Sequence, residues 1–139
     1  IGEPEAGRRR LFAVGDLEEP PLLVTAPPLE YPPHLRIAGV RGHALTEFVV
    51  DSAGRVEAGS VKVLAVTHPG FLRAVRDVIR HSRYTPGRIR GTAVWTLVGE
   101  RLLFSLPGGR RGGSVTVREP LSGRRFLQCL GPNVPAQAC

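Results

Sequence analysis

The chain has 139 residues, a formal net charge of +7 and 42% apolar residues, which is enough for one modest domain plus tails. No stretch approaches the roughly 20 consecutive apolar residues of a membrane helix, and with only Cys129 and Cys139 a cysteine-based metal site is excluded. The basic residues are scattered arginines, with Lys62 the single lysine, and one Trp and two Tyr offer no stacking surface, so no nucleic-acid partner is expected.

Punctuation divides the chain into three parts: an arm at 1–30, a compact domain at 31–106 and a Gly/Arg-rich arm at 107–139. In the first, Pro pairs at 20–21 and 27–28, with another at 32–33 just beyond, favour extended, polyproline-like backbone and exclude a central strand. This arm is expected to have no regular structure of its own and to be ordered only by lying on a partner or on the domain. Leu22, Leu23 and Val24 are its expected anchors. The first residue is Ile1, so the expectation is a processed or truncated form of something longer.

The domain opens with PHLRIAG at 33–39, where Pro at the front and Gly at the end fit one or two helical turns with Leu35 and Ile37 available for packing. In RGHALTEFVVD, Ala44, Thr46, Phe48 and Val50 share one face, which predicts a strand at 42–51. Asp51-Ser52-Ala53-Gly54 then makes a tight turn, with Gly54 supplying the positive φ and Asp51 bonding its own turn. The second strand is predicted at 55–65, with Gly59 a bulge. Leu72, Val75, Val78 and Ile79 recur at helical spacing, predicting a helix over about 70–83 capped by Thr67 or His68, with Pro69 in its first turn. Arg73, Arg76, Arg80 and Arg83 read as its solvated face. After TPGRIRG, alternation predicts a third strand at 92–106.

The order helix, strand, strand, helix, strand lets the third strand lie beside the first. The predicted fold class is α+β, a two-layer αββαβ domain with a three-stranded antiparallel sheet covered on one face by helices. Phe48, Val50, Leu72, Val75 and Ile79 are its expected core.

Beyond it, SVTVRE at 114–119 has a strand pattern, and the connection at 107–113 is mostly glycine and allows reversal. Cys129 and Cys139 enclose nine residues; a disulfide is expected in an oxidising compartment and two free thiols in the cytosol. His34, His43, His68 and His81 lack metal-ligand spacing, and PGGRRGGS lacks the Lys-Ser/Thr ending of a phosphate loop. No nucleophile has a partner base. Neither an enzymatic activity nor a cofactor is expected.

Several pieces together resemble the C-terminal domain of the TonB energy-transducer family. They are Tyr31-Pro32, Gly39 and Gly42 before the first strand, the D-x-x-G-R-V turn at Asp51, Gly54, Arg55 and Val56, Arg83-Tyr84-Thr85-Pro86 closing the helix, Gly91, and Phe104 in the last strand. The resemblance covers residues 31–106. It implies a periplasmic, membrane-associated protein whose anchor would lie in an N-terminal segment outside this sequence. It also implies that a short peptide of an outer-membrane transporter adds as a strand to the free edge of the third strand, transmitting force. The implied protein-binding positions are Tyr31, Pro32, Trp95, Leu97, Gly99 and Arg101. The alternative is a structural, accessory subunit that reuses the domain to clip onto a larger membrane or envelope complex through its arms. Under either reading, residues 114–119 are expected to cap the third strand's edge in cis or to extend onto a neighbouring subunit, with Phe126 and Leu127 as anchors.

Overall fold

The computed structural model describes residues 10–109 and 112–121. Two strands carry the sheet. β3 (Gly42–Val50) runs antiparallel to the fourteen-residue β7 (Thr92–Ser105), in continuous register from Gly42 against Phe104 to Val50 against Thr96. Period-two alternation sets their faces. Ala44, Thr46, Phe48 and Val50 of β3, with Thr96, Val98, Glu100, Leu102 and Phe104 of β7, are all buried. The helix α2 (Leu72–Arg80) covers this face with Val75, Val78 and Ile79. Burying side chains of this size stabilises by about 1.5–3 kcal/mol each. Leu72, expected in the core, is half-buried, because Phe71 in the 3₁₀ turn at Pro69–Phe71 takes the innermost place and stacks on Phe104 at 4.2 Å between ring centroids.

The helix starts as its sequence dictates. His68 is the cap, its Nδ1 accepting the Gly70 N–H at 2.9 Å, and Pro69 follows. It ends at Arg80, earlier than the expected 83. Arg83–Tyr84 forms the short strand β5 instead, its backbone taken up by pairing with Leu23–Thr25 and by the Tyr84 N–H bond to the Gly54 carbonyl. In α1 (Pro33–Ile37), Leu35 is buried but Ile37 points to solvent, since five residues present only one inward position.

The expected hairpin is present only at its base. Asp51 Oδ1 accepts the N–H groups of Ala53 and Arg55, and Gly54 sits at φ +84. A Cβ at Gly54 would lie 1.9 Å from the carbonyl oxygen of Tyr84, so only glycine fits. Val50 bridges Val56, but the second strand then leaves the sheet through a 3₁₀ turn at Ala58–Ser60 that contains Gly59. It returns as β4 (Lys62–Val66), five residues rather than eleven. The irregularity falls between the Leu45–Ala65 and Thr46–Val63 pairs, not at Gly59.

The expected three-stranded sheet is a core of a larger one. The main sheet has six strands: β1 (Leu11–Ala13), β7, β3 and β4 follow one another in that order, with two more on β7. β1 pairs with β7 in parallel, β6 (Gly87–Ile89) forms a hairpin with its start, and β8 (Val115–Leu121) runs antiparallel along its second half. A separate pair joins β2 (Leu23–Thr25) to β5. The described part of the N-terminal arm, from residue 10, therefore lies on the domain, but not through its expected anchors. Leu22, Leu23 and Val24 are all exposed, and the arm is held there by backbone, Leu22 exchanging bonds with Thr85. Among the described residues the arm buries Leu29, and Tyr31 follows it at the start of the domain. Cys129, Cys139, Phe126 and Leu127 lie outside the described residues.

Candidate functional site

A strand has two edges, and β3 occupies one edge of β7 from Thr96 to Phe104. The other edge is the candidate docking surface, because an unpaired strand edge accepts an extended peptide. In this chain it is filled from within. β1 takes Trp95 to Leu97, pairing Leu11 with Trp95 and Ala13 with Leu97. β8 takes Gly99 to Ser105, pairing Leu121 with Gly99 and Glu119 with Arg101. Val98 separates the two pairings.

Four of the six expected binding positions, Trp95, Leu97, Gly99 and Arg101, thus come together along this edge, each opposite a residue of an arm. By alternation with buried Thr96, Val98, Glu100 and Leu102, the side chains of Trp95, Leu97 and Arg101 belong to the sheet face away from α2. There Arg101 binds Glu119, with Nε donating to Oε1 at 2.9 Å and the second nitrogen 2.8 Å away. Beside it His43 is held below the usual histidine range, first by burial and then by the Arg101 charge.

Tyr31 and Pro32 are elsewhere. The Tyr31 ring packs edge-on against Phe104 and Phe71, on the helix-covered face, and its hydroxyl donates to the Val40 carbonyl. Burial raises the Tyr31 pKa. Both residues line a groove of about 820 Å³ between the 27–34 segment and α2, with Arg73, Asp77 and His81 on the helix side.

The residues that sequence reasoning did not assign to the edge lie on its inner face. Glu100 is nearly inaccessible, its side chain 5% exposed. Its Oε2 accepts the Tyr84 hydroxyl, and its Oε1 accepts two N–H groups of Arg118 from β8, at 2.9 and 2.7 Å. The same guanidinium donates to Ser82 Oγ at 2.8 Å and to the Tyr84 oxygen at 2.9 Å. Ser82 in turn donates to the Val78 carbonyl at the end of α2. Burial, then the Glu100 charge, pushes the Tyr84 pKa far up, with Arg118 opposing, so Tyr84 stays a hydroxyl donor. One further bond, Thr116 Oγ1 to the Leu29 carbonyl at 3.0 Å, ties β8 to the N-terminal arm. The readable signal was phase: Glu100 shares the inward register of Val98 and Leu102, and a carboxylate there demands a cationic partner.

Residues 27–106 match the family described as Gram-negative bacterial TonB protein C-terminal. No curated protein matches the chain. The solution structure of the Pseudomonas aeruginosa TonB C-terminal domain is similar, with a TM-score of 0.52 at 21% identity, covering 70% of this chain and 95% of that one. At that identity the likeness speaks for the fold.

Proposed function

The chain belongs to the TonB C-terminal family, and from that premise we propose that it is a periplasmic, non-catalytic protein-docking domain whose strand-docking edge is closed at rest by its own arms. In that closed form it serves as an accessory subunit of a membrane or envelope complex. The observation that carries this reading is the occupation of β7 from Trp95 to Ser105 by β1 and β8. A transporter peptide finds no unpaired backbone there until an arm leaves.

The second reading is energy transduction by strand addition at Trp95, Leu97, Gly99 and Arg101. It is favoured by the family match and by the position of that edge. It requires β8 to be displaced by the incoming strand.

An NMR titration of the full chain with the N-terminal box peptide of an outer-membrane transporter separates the two. The accessory reading expects the resonances of residues 115–121 to stay in place at saturating peptide. Stoichiometric binding with release of those residues overturns it in favour of transduction.

A further inference from the structure

Glu100 is a carboxylate that folding places in a low-dielectric site on the inner side of β7, 3% exposed as a residue. Such a group is tolerated only when a cation and further hydrogen bonds satisfy it. All of its cationic partnering among the described residues comes from β8, a strand outside the family-matched part of the chain. The domain therefore carries a recognition element that its own 27–106 segment leaves incomplete.

The element has the shape of a guanidinium. Ser82 Oγ, Tyr84 oxygen and Glu100 Oε1 accept four N–H bonds from one planar group, at 2.7 to 2.9 Å. Each acceptor is held independently of Arg118. Ser82 is anchored on the Val78 carbonyl, Tyr84 packs against Phe48 and bonds Glu100, and Glu100 is fixed by the β3–β7 ladder. A lysine ammonium is a compact charge with three donors and does not span three acceptors arranged in a plane. A neutral side chain leaves the carboxylate buried and unpaired.

We propose that Ser82, Tyr84 and Glu100 form a guanidinium socket beside the outer edge of β7, filled in cis by Arg118, and that it restricts the strands this edge accepts to those carrying arginine opposite Leu102. The proposal rests on the reading of that edge as the strand-docking surface. Backbone pairing along β7 is sequence-tolerant, whereas the socket reads one side chain. Arg118 is in this sense an internal copy of what a partner strand must bring, and a strand lacking arginine does not replace β8.

The test uses the full chain with Arg118→Ala, which empties the socket and loosens β8. A fluorescent octapeptide with the sequence of residues 114–121 is titrated by anisotropy, alongside versions with Ala or Lys in place of its arginine. Hydrogen exchange of β7 locates the binding. The arginine peptide is expected to bind at least tenfold more tightly than either other, protecting amides between Gly99 and Ser105, and the wild-type chain is expected to bind none of them. Equal binding of all three peptides overturns the socket while leaving the edge intact. Binding of none of them while the β7 amides facing β8 exchange freely overturns the edge reading itself, and continued protection of those amides in Arg118→Ala without peptide overturns the socket, since a strand lacking arginine then keeps its place. Where Arg118→Ala does not fold, Glu100→Leu alone in the full chain takes the carboxylate from Arg118, loosens β8 and gives the socket an apolar wall, and preference is expected to pass to a leucine peptide. Retained preference for arginine overturns the proposal.

Discussion

Arg118 and Glu100 show how one pair of side chains ties an arm to a domain. Both are almost inaccessible, with side chains 11% and 5% exposed. Removing one charge from such a pair leaves the other buried and unpaired, which costs about 3–5 kcal/mol, whereas replacing both by apolar groups is often neutral. Urea denaturation is therefore expected to find Arg118→Ala destabilised by about that amount, and the double replacement by leucine close to wild type. If both lose the same stability, the network is not what holds β8. Gly54 makes a second case. Its positive φ and the Tyr84 carbonyl against its missing Cβ predict that Gly54→Ala loses more than about 1 kcal/mol, measured in the same way. His43 gives a pH dependence. Its folded pKa lies below the unfolded value of about 6.5, so the unfolded state binds more protons as pH falls. The stability is fully present above about pH 6.5 and declines below it, towards the folded pKa. A thermal melt series from about pH 7.5 to 5 is expected to show Tm falling, with a shallower slope in His43→Gln. An equal slope in the variant would assign the effect to other groups.

At the scale of elements, β1 and β8 cover the same edge but differ in what holds them. β1 is three residues long, and its Leu11 is largely exposed. β8 is seven residues long, with buried Leu121, the Arg118 network and the Thr116 bond to Leu29. Deleting residues 1–13 is expected to lower Tm by only a few degrees, while ending the chain after Gly113 is expected to lower it by well over twice as much, because it also orphans Glu100. Calorimetry checks both, and similar losses would deny β8 its special part. These two strands also mark the limit of what the sequence discloses. β3, α2 and β7 were legible because each repeats its apolar positions over nine or more residues. SVTVRE was legible from the alternation of its β-branched residues over a shorter run, and it is found antiparallel to β7 as expected. β1, β2 and β5 were not, since strands of two or three residues carry no period and exist only by pairing with a neighbour. The exposed Leu22–Val24 run was misread as an anchor because apolar composition does not reveal which face a segment turns to the domain. Of the candidate site, the alternation located the strand and the family resemblance pointed to its edge, while the socket stayed hidden because Ser82, Tyr84, Glu100 and Arg118 meet only through the fold.

For the whole molecule, the consequence is a family domain in which residues on either side of the matched 27–106 segment complete the sheet. Its candidate docking edge and its own stability are then one problem, since the strand that closes the edge also neutralises a buried charge. An accessory subunit with a closed edge and a transducer with a releasable one differ only in how often β8 leaves. Native-state hydrogen exchange on the full chain at neutral pH measures that opening directly. A closed edge predicts that the amides of Val115, Val117 and Leu121 and those of β7 between Gly99 and Ser105 exchange together, at least a hundredfold slower than unstructured chain, and close to the slowest amides of β3. Exchange of residues 115–121 at unstructured rates, while β3 stays protected, would contradict the closed edge.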